Sequence, residues 1–376
     1  MPFTDNLPAE AKNAIGAFYP GRPVLKLAEL GEGNINDTFL AVLAGERPGR
    51  YVLQRLNARV FPRPELIMAN LRVLADHLDR RLREDAGNHF ADWQTVRPIP
   101  AVAGLDYHID QAGNFWRLLN YIRGGTIFKR LPSAGHGREA GRALGVFHRL
   151  VSDLDPGRLA DTLPGFHVTP RYLADYDGLI RRCDGADEEY CAGIIERSRS
   201  FAPVLENAAR DGLLPVRVIH GDPRLANILF DGKTGKALAI IDLDTVKPGL
   251  LHYDLGDCLR SACGPAGDYS EDPGKIPFDT GVCAELLRGY ITEMGPLLTE
   301  ADCEYIYPAV RLLAFELGLR FFTDHLAGGV YFKVRRPGHN LQRAVGQFKL
   351  LESIEASAEE IRGIVRELCR IGPAGS

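Results

Sequence analysis

The residues able to do chemistry concentrate between positions 218 and 257. A short apolar run, Val218-Ile219, ends at His220, and a polar turn with Gly221 and Asp222 follows. Asn227 comes five residues after Asp222. A second apolar run, 237–241, delivers Asp242 and then Asp244. Two apolar runs joined by Asp231-Gly232-Lys233 read as a hairpin, which brings Asp222, Asn227 and Asp242 to one end of it. Phosphoryl transfer needs this set of groups. One carboxylate sits near the attacking hydroxyl, while an amide oxygen and a second carboxylate hold Mg²⁺ against nucleotide phosphates. A polar turn beside a capped strand end uses similar residue types, but has no reason to repeat this order and spacing.

Protein kinases use His-Arg-Asp, an Asn five residues after that Asp, and a metal-binding Asp on the next hairpin. Here His220-Gly221-Asp222, Asn227 and Asp242 fill those places. His-Gly-Asp and Ile-Asp-Leu-Asp in place of the protein-kinase motifs resemble the aminoglycoside phosphotransferase and choline kinase branch. The expected fold is α+β, a bilobal protein-kinase-like fold. Its N-terminal lobe pairs an antiparallel sheet with a helix, and its C-terminal lobe is mainly helical and carries the catalytic hairpin.

The elements that must position these groups follow from the pattern. Residues 1–121 read as a nucleotide-binding lobe. Apolar stretches 24–30, 38–42 and 50–55 read as strands, with Gly31-Glu32-Gly33-Asn34 between the first two. Backbone N–H groups at Gly31, Gly33 and Asn34 can lie over phosphates without side-chain obstruction. Kinases place a lysine on the third strand. Here that strand carries Gln54 and Arg55 on opposite faces, so one of them faces the nucleotide. The pattern alone leaves that choice open. A helix is expected over 62–81, with Glu65 either paired to a strand-three cation or solvated near the helix start. The chain passes between lobes near 119–123, where Asn120 and Ile122 offer backbone groups to adenine. Trp116 reads as ordinary strand packing.

Residues 122–376 read as the catalytic and acceptor-binding lobe. His148, in a helix over 137–151, reads as a satisfied core histidine. In related kinases the Asp of an Asp-Leu-Gly element braces the catalytic loop, so Asp254 is assigned that role, with His220 and Asp244 in supporting roles and Asp257 capping or extending it. Residues 264–278, rich in Gly, Pro and Asp, form a loop on the acceptor side. Three helices, 280–294, 299–326 and 340–368, close the chain. Arg320 and Asp324 lie one turn apart on the second, as an ion pair or as acceptor contacts.

Composition bounds the function classes. With 376 residues the chain holds two or three domains' worth of core. A net charge of −4 gives no electrostatic case for nucleic acid. No apolar run approaches the roughly 20 residues of a membrane span, and no signal peptide is evident at the start. Seven cysteines without short paired spacing suggest free thiols in a reducing cytosol, so a cytoplasmic location is expected. Cys258, beside the motif, reads as a buried filler.

A narrower resemblance emerges from several segments together: GEGNINDTF, RYVLQRLN, VFPRPELIMANL, GKALAIIDLDTVKPG, DLGDCLR, LRFFTDHLAGGVYF and PGHNLQR. They are similar to the N-acetylhexosamine 1-kinase family, over about residues 20 to 365, most strongly at 218–257 and 311–345. The glutamine on strand three is shared with that family. The resemblance implies transfer of the γ-phosphate of ATP to the anomeric hydroxyl of GlcNAc or GalNAc. It also implies that Asp222, Arg320 and Tyr331 contact the sugar and that Asn227 and Asp242 serve Mg²⁺. Other acceptors stay in view: an aminoglycoside, homoserine or choline. Arg260, Arg311, Arg320, Arg335 and Arg336 favour a neutral or anionic one. An inactive kinase fold that only binds nucleotide is the reading from a different class.

Overall fold

The computed structural model describes residues 9–31, 35–46, 48–85, 87, 89–179, 185–264, 276–334 and 336–370. The chain divides into two compact units, Met1–Arg83 with Gln94–Arg123, and Glu84–Trp93 with Gly124–Ser376. A single cut between 121 and 122 does not anticipate that Glu84–Trp93 packs with the second unit. That segment is held there by His89, 2.7 Å from Glu293, and by Phe90 beneath the Arg149 guanidinium.

The first unit holds α1 (Ala9–Phe18), β1 (Val24–Glu29), β2 (Asp37–Leu43), β3 (Gly49–Leu56), α2 (Pro64–Arg83), β4 (Pro98–Ile99), β5 (His108–Ile109) and β6 (Phe115–Asn120). The strands form an antiparallel sheet in the order β1-β2-β3-β6-β4, with β5 also paired to β6. Alternation sets its faces. Phe39, Ala41 and Leu43 of β2, Leu53 of β3 and Trp116 and Leu118 of β6 pack with Ala11, Ile15 and Phe18 of α1. Trp116 is buried there, and its indole donates to Asp110 at 2.8 Å. In α2, Ile67, Leu71, Leu74 and Leu78 recur at helical spacing and are buried, while Arg80, Arg81 and Arg83 occupy the last turn, where the helix dipole favours cations.

The second unit begins with β7 (Gly125–Thr126) and α3 (Ala134–Leu150), followed by α4 (Thr169–Asp177), α5 (Ala186–Ser198) and α6 (Val204–Arg210). The strands β8 (Arg217–Ile219), β9 (Ile228–Asp231), β10 (Ala237–Ile240) and β11 (Lys247–Gly249) come next. They are followed by α7 (Leu251–Cys263), α8 (Thr280–Met294), α9 (Glu300–Glu304), α10 (Ile306–Leu326), α11 (His339–Ala356) and α12 (Ala358–Arg370). Small sheets β10-β9-β7 and β11-β8 carry the loops of interest. α3 and α8 approach until their backbones nearly touch: a Cβ on Gly141 would sit 1.8 Å from the Leu286 carbonyl oxygen. α10 is buried along most of its length, enclosed by α4, α7 and α11, which explains its apolar residues on every side.

Three expectations need correction. The helix expected over 299–326 is two, because Pro308 would drive its ring into the carbonyl of residue 304 in a continuous helix. The helix expected over 340–368 breaks at Ser357, because α11 packs on α10 whereas Ile361, Val365 and Leu368 of α12 turn toward α8 and α9. That turn brings Cys369 beside Cys303, 66 residues away, and the two form a disulfide with Cα atoms 6.5 Å apart. Free thiols are found at Cys191, Cys258, Cys263 and Cys283, all buried, so Cys258 is packing. Residues 265–275 of the expected acceptor-side loop lie outside the described residues.

Candidate functional site

The loop after β8 is anchored by one carboxylate. Asp254, fully buried in the first turn of α7, accepts from the backbone N–H of His220 at 2.6 Å and of Gly221 at 2.7 Å. Its third donor is Nε2 of His148 at 2.8 Å, whose Nδ1 meets the Tyr290 hydroxyl at 2.9 Å. Burial alone would raise the Asp254 pKa, but His148, His220 and the backbone donors hold it below the ordinary value. Gly221 has φ +87°, and a Cβ there would lie 2.5 Å from the Thr245 carbonyl oxygen, so only glycine lets the loop run this close to 243–245.

His220 joins the loop to the hairpin. Its Nε2 lies 3.0 Å from the Ile241 carbonyl oxygen, and its Nδ1 accepts from the Asp222 N–H at 3.2 Å. A carbonyl accepts only, so Nε2 carries the proton and the ring is neutral. Burial lowers the His220 pKa, in keeping with that state. Asn227 sits at the start of β9, where its carbonyl accepts from Ile241 N at 2.9 Å across the hairpin. That bond places Asn227 beside the end of β10, from which Asp242 follows in the left-handed region at φ 65°. The Asn227 amide nitrogen donates to Asp222, at 2.7 Å to its carbonyl and 3.2 Å to its carboxylate. Arg224 Nε is 3.5 Å from the same carboxylate. Asp244 is buried, and its carbonyl accepts from Thr162 at 2.8 Å.

The donor chemistry of this end of the hairpin suits Mg²⁺. The Asn227 nitrogen is committed to Asp222, so the residues that could hold the ion are Asn227, through its amide oxygen, and Asp242, through a carboxylate. Among the described residues no cluster of three or more His, Cys, Asp or Glu side chains forms an all-protein metal cage. Mg²⁺ needs none when phosphate oxygens and water complete its shell.

A cavity of about 320 Å³ opens in the same unit, within the size of a small-molecule pocket. Arg320 lines it together with the charged Arg171, Asp175 and Asp324, and has Phe166 and Tyr172 at 5.0 Å, Phe332 at 5.5 Å and Tyr331 at 5.7 Å from its guanidinium. Burial works against the charge, yet Tyr172, Tyr331, Glu316 and Asp222 keep the Arg320 pKa above the usual arginine value. Arg320 therefore feels Asp222 electrostatically. It does not pair with Asp324, as one-turn spacing allowed; the carboxylate of Glu316 lies 4.0 Å away. Asp324 instead accepts from Val330 N at 2.9 Å, Tyr331 N at 2.8 Å, Phe332 N at 3.1 Å and Asn340 Nδ2 at 2.7 Å. It thereby fixes the loop that presents Tyr331.

Of the other acceptor-side arginines, Arg260 is buried against Asp257 at 2.6 Å. Arg311 pairs with Glu355 over the Phe201 ring, and Arg336 meets Gln342. Arg335 lies outside the described residues. Among the described members of this set the arginines form structural pairs, and Arg320 lines the cavity, as does Arg171 of α4. Phe166, Tyr172 and Glu316 were not foreseen. The stretch at 164–167 has only a loop signature, and no periodicity ties it to α10.

In the first unit, Gln54 and Arg55 separate as alternation requires. Gln54 lies in a cross-strand row with Thr38 and Arg117, donating to Thr38 at 3.0 Å and accepting from Arg117 at 2.9 Å. Arg55 lies on the face covered by α1, where it holds Asp37 at 2.8 Å and Glu10 at 3.4 Å over Trp116. The cation in the Gln54 row is the buried Arg117 of β6, which strand-three reasoning overlooked. Glu65 meets Arg63 at 3.2 Å, not Arg55, because Arg55 faces away toward α1. The Asn120 side chain is occupied by Arg97 N at 2.7 Å and the Thr95 carbonyl at 3.0 Å, and Ile122 is buried. Gly31 has φ +79°, whereas Gly33 and Asn34 lie outside the described residues.

A homoserine kinase of Agrobacterium fabrum is 30% identical over 214 residues, 56% of this chain and 56% of its own length. One from Mesorhizobium japonicum is 26% identical over 324 residues, 84% of this chain and 86% of that one. The chain thus spans only about half of the first relative but most of the second. A crystal structure of an aminoglycoside phosphotransferase from Alicyclobacillus acidocaldarius superposes with a TM-score of 0.63 over 98% of both chains, at 14% identity. That likeness shows the fold, which is kinase-like and α+β, with an antiparallel N-terminal sheet and a helical C-terminal lobe. Residues 26–291 match the family model described as the phosphotransferase enzyme family, and the chain belongs to that family.

Proposed function

We propose that the protein transfers the γ-phosphoryl group of ATP to the anomeric hydroxyl of an N-acetylhexosamine, GlcNAc or GalNAc. The observation that carries this reading is the cavity that combines the Arg320 guanidinium with the faces of Phe166, Tyr172 and Tyr331. Aromatic faces suit the apolar face of a pyranose, and a rigid donor fork suits vicinal hydroxyls or an acetamide oxygen. Asp222 orients the sugar hydroxyl and accepts its proton. Because the transition state is loose, positioning and charge neutralisation contribute more than base strength. Asn227 and Asp242 would hold Mg²⁺, which when bound would neutralise charge on the nucleotide phosphates.

A second reading, an amino-alcohol acceptor such as homoserine, is favoured by the names of the curated relatives. Arg320 suits its carboxylate. Its ammonium needs an acidic partner; Asp324 already serves four donors, and Asp175 also lines the cavity. The test is ADP release with ATP, Mg²⁺ and a panel of N-acetylhexosamines, other sugars, aminoglycosides, choline and homoserine, with phosphorus NMR on the product. An anomeric phosphate supports the first reading, and release with homoserine alone replaces it by the second. Asp222→Ala abolishes turnover and retains ATP binding; a near-normal rate refutes the assignment of Asp222. Arg320→Ala chiefly raises the acceptor KM.

A further inference from the structure

We infer that His167 is a positioning residue: its imidazole ties the peptide that carries Asp222 to the Glu316–Arg320 pair of the acceptor cavity, so that one buried unit holds both the acceptor and the group that takes its proton. The inference rests on the assignments of Asp222 and Arg320 proposed above.

The connection runs through short contacts among buried groups. His167 Nε2 lies 2.6 Å from the carbonyl oxygen of Gly221, which belongs to the peptide bond entering Asp222. Its Nδ1 lies 2.9 Å from Glu316 Oε1. The other Glu316 oxygen accepts from the Thr169 hydroxyl at 2.8 Å, so the carboxylate is held from both sides. One helical turn on, Arg320 reaches the Oε1 atom of Glu316 at 4.0 Å. His167 and Glu316 are 3% and 1% exposed, so water does not compete for these bonds.

The partners fix the charge on the ring. A carbonyl and a carboxylate both only accept, so both ring nitrogens must donate, and His167 is an imidazolium. Charged groups around it agree. Glu316 faces it from α10, with Arg320 4.0 Å from that carboxylate, Asp257 and the stacked Tyr253 face it from α7, and Glu206 of α6 lies behind Tyr253. Burial pushes the His167 pKa down, but Glu316 and Asp257 raise it above the ordinary histidine value. The backbone supports the same conclusion. His167 has φ +67°, an uncommon conformation for a side chain of this size, and such geometry persists where surrounding contacts over-determine it. Among the described residues the only other non-glycine residue with positive φ is Asp242.

A positioning role makes a split prediction. Cutting the tie at His167 loosens the base and lowers kcat. Cutting it at Glu316 frees Arg320 and raises the acceptor KM. The test uses the full chain with His167→Asn, which tolerates the left-handed backbone but is too short to span both partners, and Glu316→Gln, which keeps size and removes charge. Folding is checked by circular dichroism. His167→Asn should lower kcat by about tenfold to a hundredfold, the scale of an ångström-level misplacement, with the ATP KM unchanged. Glu316→Gln should raise the acceptor KM by about tenfold and lower kcat less. Nitrogen NMR of the wild-type imidazole provides a readout that needs no acceptor: His167 should show two protonated ring nitrogens at pH 7. A folded His167→Asn enzyme with wild-type kcat, or a neutral His167 in the wild type, overturns the inference. If no acceptor is turned over, the proposed function fails, and the ring protonation still decides whether the clamp exists.

Discussion

Asp254→Asn is the sharpest test of how the catalytic loop is held. The wild-type carboxylate serves three buried donors: His220 N and His148 Nε2 at one oxygen, Gly221 N at the other. An asparagine offers one carbonyl oxygen, so its amide nitrogen must face at least one N–H. The first cost is a lost bond and an unsatisfied buried donor, about 1–3 kcal/mol. The second is the fall of the remaining bonds from charge-assisted to neutral, about 1 kcal/mol each. The sum is about 3–5 kcal/mol, which a domain of about 5–15 kcal/mol survives. Urea unfolding followed by helical circular dichroism reports mainly the second unit, where most of the helices lie. With m about 3 kcal/mol/M, the midpoint should fall by about 1–2 M at unchanged m. The pH dependence has a definite sign. Asp254 has a depressed pKa, so its contribution is present above the ordinary aspartate value of 3.8 and is lost as pH falls through the native value. The deficit of the variant should therefore shrink in acid. A midpoint shift below about 0.3 M at neutral pH would refute the brace.

Gly221→Ala should cost more than about 2 kcal/mol and stop turnover, because a left-handed backbone and a contact 2.5 Å from the Thr245 carbonyl must both be accommodated; urea midpoint and rate check it. Asp324→Ala releases three backbone N–H groups and Asn340, so the acceptor KM should rise by about tenfold with the ATP KM unchanged; equal KM values would show that Tyr331 does not depend on this cap. Opposite pH slopes are expected from two histidines. His220, with a lowered pKa, stabilises above the ordinary histidine value of 6.5 and loses that contribution as pH falls through its native value. His167, with a raised pKa, stabilises fully below 6.5 and loses that contribution as pH rises through its native value. Melting temperatures of His220→Asn and His167→Asn, each measured relative to wild type from pH 5.5 to 8.5, should diverge in opposite directions.

The chain order of His220, Asp222, Asn227 and Asp242 made one end of the hairpin readable, because those contacts are local. A short β9–β10 hairpin leaves little freedom in where Asn227 and Asp242 lie relative to each other. Alternation likewise separated Gln54 from Arg55, and apolar periodicity marked α2 and α8. Tertiary structure alone decided the rest. Arg117 enters the Gln54 row through pairing of β3 with β6, 63 residues apart. The break at Ser357 and the Cys303–Cys369 disulfide depend on which neighbours α11 and α12 choose. Arg320 has one-turn neighbours on both sides, and sequence favours neither Glu316 nor Asp324. The loop at 330–332 claims Asp324, which leaves Glu316 to His167 and Arg320. The sequence by itself determined the local turns and strands that carry the reacting groups, because their spacing lies within the reach of a few peptide bonds. The three-dimensional packing decided which buried charges meet, because a carboxylate serves whichever donors the fold leaves within about 3 Å of it.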